Sequence, residues 1–200
     1  MLKPVDVVLF DFDGTLSWPD SNVAFARYCM RHSVRPWLFI PVFGVCAVVR
    51  LFNRRSCWWR EHMRRYLTPG MIKKHVRGFV REHRRNRFGW AAEKVAAEHA
   101  AGNKVLLITA TPEYLISHLV RDMGFDAVIC SRVHDNRPWK YKFCCLGRNK
   151  VIAMDEWAKE HKFIPHVVRA YSDSKSDLPM MEIADEQVWI DPKTAKPRRC

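Results

Sequence analysis

Two aspartates stand two residues apart directly after an apolar run, in the stretch VVLFDFDGTL at residues 7–16. At the end of a β-strand, residues i and i+2 point to the same side, so the carboxylates of Asp11 and Asp13 converge. Like charges this close raise the pKa of one group unless a cation lies between them. With Gly14 supplying the turn that follows, the pair indicates a metal site.

Three further stretches place polar groups where other predicted elements begin or end. Thr109 ends the strand in LLITATP, Lys150 opens a helix in LGRNKV, and Asp173 and Asp177 stand in YSDSKSD. The aspartates of the first and last stretches form an all-oxygen cluster without His or Cys. Such a cluster suits Mg²⁺ that keeps several waters and binds a substrate phosphate.

Each of these residues also has an ordinary structural interpretation. A turn beside Gly14 accounts for either aspartate of the first pair, and a helix N-cap accounts for Asp173 or Ser174. Thr109 alone fits the capping of a strand end, and Lys150 alone fits a solvated helix start. The whole constellation favours the metal site, because the predicted topology brings all of these groups to one rim.

Alternating strands and helices position these groups. Runs rich in apolar and β-branched residues predict strands at residues 5–10, 104–109, 126–130, 166–171 and 187–190. Helical patterns are found at residues 89–101, 112–123, 149–161 and 178–184. This order predicts an α/β fold with a Rossmann-like parallel sheet covered by helices on both faces. In such sheets, functional groups gather at the carboxyl ends of the strands.

Positive charge is concentrated in one segment of the chain. The 200 residues include 34 Lys and Arg and 21 Asp and Glu, for a formal net charge of +13. Residues 27–87 hold 16 of the basic residues but two of the acidic ones, so this segment carries +14 and the rest is close to neutral. We therefore predict an all-helical cap inserted at residues 20–87 into a core domain of residues 1–19 and 88–200. The cap should have an anionic partner.

Composition and cysteine usage narrow the class of protein. A hydrophobic fraction of 48% is ample for a packed core. The seven cysteines include no C-x-x-C pair, which argues against a disulfide framework or a zinc site and favours a reducing compartment. The N-terminal residues are interpreted as a first core strand rather than a signal peptide, because no small-residue cleavage site follows the apolar run.

Four short motifs resemble those of the haloacid dehalogenase superfamily, in the expected order along the chain. They are DFDGTL, Thr109 after a strand, Lys150 at a helix start, and DSKSD at residues 173–177. About 90 residues separate the first two motifs, which resembles subfamily IB, the branch with a helical cap after the first motif that includes phosphoserine phosphatase. Within it, CCLGRNKV and YSDSKSDLPMME look closest to the bacterial phosphatidylglycerophosphatase C group. Ser172 departs from the superfamily pattern, since many members have Gly there.

The resemblance implies a phosphoaspartyl mechanism. Asp11 attacks phosphorus to form an aspartyl phosphate, which divides the hydrolysis into two displacements. Asp13 protonates the leaving oxygen and then takes a proton from the incoming water. Mg²⁺ is held by Asp11, Asp173 and the backbone carbonyl of Asp13, and it neutralises phosphoryl charge.

The remaining motif residues complete the implied site. Thr109 and nearby amides hydrogen-bond the phosphoryl oxygens, and the Lys150 ammonium offsets the charge beside the nucleophile. Asp177 orients Lys150 or a metal-bound water. The supporting residues expected around these groups are Gly14, Ala110 and Ser174.

The insert contains an apolar run flanked by arginines. Residues 37–49 are thirteen uncharged residues, which as a helix would reach ~20 Å, short of the ~30 Å hydrocarbon core of a membrane. Trp58 and Trp59 stand among the arginines that follow. We expect residues 36–52 to bind an anionic phospholipid membrane, peripherally or shallowly inserted, at the cytoplasmic face of the bacterial inner membrane. A buried cap helix is the alternative.

Three functions remain open. The first is a Mg²⁺-dependent phosphatase of a phospholipid headgroup, with phosphatidylglycerol phosphate as the expected substrate. The second is a soluble phosphatase of small phosphomonoesters such as phosphoserine, with the insert as an ordinary cap. The third is a nucleic-acid-binding protein, since the basic segment could follow a phosphate backbone. The insert lacks a recognised nucleic-acid motif, however, and we expect no nucleic-acid partner. Residues 73–87, a second basic stretch, fit a solvated helical face, although some of their arginines could hold a second phosphate of a lipid.

Overall fold

The computed structural model describes residues 2–53 and 57–197, and within them a seven-stranded sheet forms the centre of the protein. Its strands are β1 (Lys3–Phe10), β2 (Lys104–Pro112), β3 (Ala127–His134), β4 (Arg137–Phe143), β5 (Phe163–Ser172), β6 (Glu186–Asp191) and β7 (Lys196–Pro197). They lie in the order β4-β3-β2-β1-β5-β6-β7. The inner strands pair in parallel, and the edge strands β4 and β7 pair antiparallel. The predicted α/β fold with a mostly parallel sheet is confirmed.

Helices flank this sheet and fill the insert. In the described residues they are α1 (Ser21–His32), α2 (Ile40–Phe52), α3 (Cys57–Met63), α4 (Pro69–His83), α5 (Trp90–Ala100), α6 (Glu113–Leu119), α7 (Arg148–Glu160) and α8 (Leu178–Met181). Short 3-10 turns occur at Arg35–Phe39, Arg84–Asn86 and Lys175–Asp177. The first four helices lie between β1 and α5, so the predicted insert is helical where the structure describes it.

Two predicted helices are shorter than the sequence patterns indicate. The helix expected at residues 112–123 begins after Pro112 and ends at Leu119, because β2 continues to Pro112 and pairs there with Ser131. The helix expected at residues 178–184 ends at Met181. Residues 137–139 are interpreted from the sequence as part of a hairpin, and they lie in β4, whereas no pattern indicates β7, whose two residues are exposed.

The central strand β1 is covered on both faces. Val8 and Phe10 belong to one apolar cluster, while Val7 and Leu9 belong to a second cluster on the opposite face. All four side chains are fully buried. Because side chains alternate along a strand, a strand buried on both faces must be a continuous apolar run, as this stretch of the sequence is.

The chain enters and leaves the helical insert side by side. The Trp18 amide donates to the Asn86 carbonyl at 3.1 Å, and the Phe88 amide donates to the Leu16 carbonyl at 2.9 Å. This connection places the insert at the carboxyl end of β1, and its apolar residues pack into the same cluster as one face of the sheet. Since insert and sheet share this core, the division into a core domain and a cap stays a prediction.

The 3-10 turn before α2 and α2 itself form one largely exposed apolar segment. Arg35–Phe52 comprises 18 residues with a mean hydropathy of 1.6, and 11% of it is buried. At ~1.5 Å per residue this segment is ~27 Å long. The apolar helix is therefore longer than the ~20 Å expected for residues 37–49 alone. In the described part of the chain it is the one helix long and apolar enough to cross a membrane, judged by length and composition alone. A buried cap helix fits poorly, because Leu38, Leu51 and Phe52 are 75%, 71% and 87% exposed.

A disulfide joins the insert to the rest of the protein. Cys57 at the start of α3 is bonded to Cys144, which precedes α7, with their Cα atoms 6.8 Å apart. The cysteine pattern argues against a disulfide framework, and this prediction is wrong for Cys57 and Cys144. The two residues are 87 positions apart, and only the packing of α3 beside β4 brings them together. The cysteines recorded as free are Cys29, Cys46, Cys130 and Cys145.

Candidate active site

A pocket of about 500 Å³ opens where the carboxyl ends of the parallel strands meet the insert. Asp11 follows β1 and Asp173 follows β5, and these two strands are neighbours in the sheet. The pocket lining contains every site residue that the sequence predicts, namely Asp11, Asp13, Gly14, Thr109, Ala110, Lys150, Asp173, Ser174 and Asp177. The parallel sheet thus brings distant parts of the chain to one rim, while the chemical role of each residue stays a prediction.

Lys150, in the first turn of α7, bridges two carboxylates. Its Nζ donates to Asp11 Oδ1 and to Asp177 Oδ2, both at 2.7 Å, and its side chain is 1% exposed. Burial lowers the pKa of Lys150, but the two carboxylates raise it by more, so the pKa lies above its usual value and the ammonium stays charged. Ser172, where many superfamily members have Gly, donates to Asp177 Oδ2 at 2.8 Å and so helps to fix this bridge.

The carboxyl group of Asp11 is nearly inaccessible to solvent. Burial raises its pKa above the usual range. The Lys150 ammonium opposes this shift, whereas the charges of Asp177 and Asp13 add to it. Lys150 therefore favours the charged form of Asp11 that a nucleophile requires.

Asp13 faces the insert rather than the Lys150 bridge. Its Oδ1 accepts a hydrogen bond from the Ser21 amide at 2.7 Å, and its Oδ2 accepts from the hydroxyls of Ser21 at 3.0 Å and Thr111 at 2.5 Å. Burial, followed by the charge of Asp20, raises the pKa of Asp13 to about 7, although these hydrogen bonds lower it in part. A carboxyl group with a pKa near neutrality can both give and take a proton, as a general acid and base must.

Gly14 and Asp173 are packed against each other. Gly14 has a φ of +84°, and a Cβ atom added there would overlap the Asp173 carboxylate. The Asp173 amide donates to the Thr15 hydroxyl at 3.1 Å, which anchors β5 to the loop after β1. Burial raises the pKa of Asp173 to about 7, with a further contribution from the charges of Asp11 and Asp177. Glycine is therefore needed here for the backbone conformation and for the room it leaves.

Two other predicted residues accept local backbone hydrogen bonds at the rim. Thr109 is 1% exposed, and its hydroxyl accepts a hydrogen bond from the Thr111 amide at 3.2 Å. Ser174 caps the 3-10 turn that carries Asp177, because its hydroxyl accepts from the Ser176 amide at 3.3 Å. The N-cap interpretation of Ser174 is thus confirmed, and the cap also positions a residue of the pocket.

A metal ion would have to be held by few protein ligands. Among the described residues, no group of three or more His, Cys, Asp or Glu side chains is arranged to bind one. The Asp13 side chain is engaged by Ser21 and Thr111, which leaves only its backbone carbonyl as a ligand. Asp11 and Asp173 supply carboxylate oxygens at adjacent strand ends, and Mg²⁺ prefers such oxygen donors together with water and substrate phosphate. The donor set therefore fits Mg²⁺ with two carboxylates and one carbonyl.

Sequence reasoning did not find Ser21 and Thr111 as partners of Asp13. Thr111 follows Thr109 by two residues in β2, so the strand period already indicates that they share a face. Ser21 carries no comparable signal, because a residue after Asp20 at a helix start is expected to cap that helix. Asp20 does cap α1, through hydrogen bonds to its Oδ1 from the Asn22 and Val23 amides.

Basic side chains of the insert line the other wall of the pocket. They are Arg27 of α1, Arg50 of α2 and Arg60 of α3. From the second basic stretch, Lys73 and Arg77 instead line a separate hollow between α4 and the β3–β4 hairpin. The pocket thus has an acidic floor on the sheet and a basic wall on the insert.

Comparison with known proteins identifies the family. Residues 8–182 match the family of haloacid dehalogenase-like hydrolases, and the chain belongs to this family. It is 27% identical over 201 residues to the protein CicA of Caulobacter vibrioides, covering 90% of this chain and 84% of CicA. It is 25% identical over 194 residues to a probable phosphatase of Mycobacterium tuberculosis, covering 92% of this chain and 68% of that protein.

The fold is also that of a solved phosphatase. A structure of a phosphoserine phosphatase with an analogue of its phospho-aspartyl intermediate superimposes with a TM-score of 0.62 at 16% identity. The match covers 97% of this chain and 92% of that one. At this identity the similarity concerns the fold, and it agrees with the Rossmann-like sheet described above.

Proposed function

We propose that this chain is a Mg²⁺-dependent phosphatase that hydrolyses phosphomonoesters through an aspartyl phosphate on Asp11. The observation that carries the proposal is the buried Lys150 ammonium, which holds Asp11 and Asp177 at 2.7 Å in the same pocket as Asp13 and Asp173. A nucleophile, a proton donor and acceptor, and oxygen ligands for a cation thus line one cavity.

The chain's own residues account for both displacements. The Asp11 carboxylate attacks phosphorus, and the bond from phosphorus to the ester oxygen breaks. Asp13 gives its proton to that oxygen, so that the alcohol leaves neutral. Asp13 then takes a proton from water as the water oxygen attacks phosphorus, which releases inorganic phosphate and restores the Asp11 carboxylate. When bound at Asp11, Asp173 and the Asp13 carbonyl, Mg²⁺ supplies positive charge for the phosphoryl oxygens.

Small soluble phosphomonoesters are the substrate class that the similar proteins support. The superimposed structure is that of a phosphoserine phosphatase, and no protein in the comparisons above is described as acting on a lipid. In this version of the proposal the insert is an ordinary cap over the pocket, and turnover does not depend on detergent or vesicles.

A phospholipid phosphate is the second candidate, with phosphatidylglycerol phosphate as the expected substrate. It is supported by the exposed apolar face of α2 and by an apolar groove of about 550 Å³ that shares Val23, Arg27 and Arg50 with the catalytic pocket. A substrate with its phosphate in the pocket could lay its acyl chains along this groove. Three further predictions from the sequence go together with this candidate function. They are that the chain belongs to subfamily IB, that it is similar to phosphatidylglycerophosphatase C, and that residues 36–52 bind the cytoplasmic face of an anionic inner membrane.

Phosphate release tests the two substrate classes together. The assay compares phosphoserine and other soluble monoesters with phosphatidylglycerol phosphate in mixed micelles, with Mg²⁺ or with EDTA. Asp11→Asn is the blank. Mg²⁺-dependent turnover that the substitution abolishes supports the aspartate chemistry, and the preferred substrate selects the class. No turnover of any monoester by the wild-type protein contradicts the proposed function.

Vesicle flotation tests the membrane contact separately. Phe52→Ser removes an exposed apolar side chain of α2 and should weaken binding to anionic vesicles, whereas binding to neutral vesicles is weak from the start. Duplex DNA of equal phosphate concentration serves as the polyanion control. Stronger binding to DNA than to anionic vesicles would contradict the membrane proposal and favour a nucleic-acid partner.

A further inference from the structure

The basic wall of the catalytic pocket is not used by the chemistry proposed above. Arg27, Arg50 and Arg60 all line the pocket that contains Asp11, yet hydrolysis of the ester requires only groups on the sheet side. The three arginines come from three different helices of the insert. Their convergence on one cavity therefore results from packing of the insert and not from a basic run in the sequence.

Two of these arginines are gathered around one aromatic ring. The guanidinium carbons of Arg50 and Arg60 lie 5.2 and 4.5 Å from the centre of the buried Trp59 ring. A guanidinium stacked on an indole keeps its N–H donors free at its edge, where they can form hydrogen bonds to an oxyanion. Trp59 thus holds two donors in fixed places at the pocket wall.

Five aspartates line the same pocket, but none of them is in direct contact with the arginines of this wall as an ion pair. Within residues 2–53 and 57–197, no ion pair is formed by Arg27, Arg50 or Arg60. The acid of the insert that lines the pocket, Asp20, has its Oδ1 committed to two amides at the start of α1. Three positive charges therefore face a cavity of about 500 Å³, which is large enough for a ligand that extends beyond one phosphoryl group.

We infer that Arg27, Arg50 and Arg60 form a second anion subsite, and that the substrate carries a second oxyanion group besides its phosphomonoester. This inference rests on the proposed function and deepens it by assigning the specificity of the same pocket. The phosphomonoester lies over Asp11 on the acidic floor, and the second oxyanion accepts hydrogen bonds from the arginines. The second group can belong to a lipid headgroup or to a water-soluble ester, because the subsite recognises only the oxyanion.

Steady-state kinetics with three substrates test this subsite. The first is sn-glycerol 3-phosphate, whose remaining groups are neutral. The second is the deacylated form of phosphatidylglycerol phosphate, which adds a phosphodiester and is soluble, and the third is the intact lipid in mixed micelles. The wild-type protein should have a higher kcat/KM for both substrates that carry the phosphodiester than for sn-glycerol 3-phosphate. If kcat/KM is higher still for the intact lipid, the second oxyanion belongs to a lipid headgroup.

Substitution of the wall should reduce that preference. Arg27→Ala and Arg50→Ala should each lower the ratio of kcat/KM between the second and first substrates by about 10- to 100-fold, because each removes charged hydrogen bonds to one oxyanion. The change should appear in KM rather than in kcat, since such binding is equal in ground and transition states. Arg60→Lys keeps the charge but not the planar fork, so it should have a smaller effect.

The control is Arg81→Ala, which removes the same charge from an exposed position of α4 outside the pocket and should leave the substrate ratio unchanged. The subsite is refuted if the wall variants reduce turnover of all three substrates equally, or if Arg81→Ala lowers the ratio as much as they do.

Calorimetric binding to Asp11→Asn separates the subsite from the proposed reaction. The deacylated phosphodiester compound should bind this protein more tightly than glycerol 3-phosphate, and adding Arg50→Ala should remove the difference. If that difference is present although the wild-type protein releases no phosphate, the subsite stands and the proposed function fails. If the two compounds bind equally, the subsite fails even when catalysis is observed.

Discussion

Removing the buried ammonium of Lys150 should destabilise the protein strongly. Lys150→Met keeps the length and apolar part of the side chain but leaves Asp11 and Asp177, each 2.7 Å from the lost charge, buried without their partner. Breaking a buried ion pair by removing one member costs about 3–5 kcal/mol. This is a large fraction of the ~5–15 kcal/mol by which a domain is typically stable.

Urea denaturation at pH 7.5 without Mg²⁺ measures this loss. Because the folded pKa of Lys150 is raised, its contribution is complete below its unfolded pKa of about 10.4 and is lost only as pH rises through the folded value. At pH 7.5 the full effect is therefore present. The control is Lys142→Met, which removes an exposed lysine paired with an exposed aspartate and should leave the unfolding midpoint unchanged.

The pH dependence of the loss gives a stricter test. In Lys150→Met, protonation of Asp11, whose pKa burial already raises, relieves its repulsion with Asp177, so the deficit relative to wild type should shrink as pH falls from 7.5 to 5. Adding Asp177→Asn should restore part of the stability at pH 7.5, because one uncompensated charge is gone. A deficit below about 1 kcal/mol, as for an exposed pair, or one that is independent of pH, would refute the assignment of a buried bridge.

Three further substitutions test other parts of the site. Thr111→Val removes a hydroxyl that lowers the pKa of Asp13, so the alkaline limb of the pH profile of kcat should move to higher pH; a limb that stays in place would contradict the role of Asp13 as general acid. Gly14→Ala places a Cβ against the Asp173 carboxylate at a φ of +84°, and we expect kcat/KM to fall about 100-fold, as for a displacement of ~1 Å in an active site; wild-type activity would contradict this packing. Cys57→Ser should lower the free energy of unfolding by about 2–4 kcal/mol in urea without reductant. Dithiothreitol should have the same effect on wild type and none on the variant, and identical midpoints for oxidised and reduced wild type would rule out the disulfide.

Local patterns were sufficient to predict which residues meet at the rim of the pocket. Asp11 and Asp173 directly follow apolar runs, and strands of this kind align in parallel when helices separate them. Polar groups at their carboxyl ends must then meet at one edge, however far apart they lie in the chain. The α/β fold and the presence of these residues in one pocket follow from that rule.

The errors of the sequence predictions have identifiable physical causes. The helix expected at residues 112–123 begins late because a pairing of Pro112 with Ser131 extends β2, and helical periodicity does not report strand pairing. The Cys57–Cys144 bond joins residues with no local spacing signal. The apolar segment Arg35–Phe52 is longer than residues 37–49 because a 3-10 turn continues into α2.

The amino-acid sequence by itself determined which side-chain groups the pocket contains, since the residue types at the strand ends and at the start of α7 specify carboxylates, a tight turn and an ammonium. Only the tertiary structure decided how these groups are paired and what they face. Asp13 is held by Ser21 and Thr111, and Arg27, Arg50 and Arg60 are the basic residues among the described part of the insert that line the pocket. Strand alternation fixes directions over two residues, whereas the direction of a helix face depends on how whole helices pack, and contacts distant in the chain decide that.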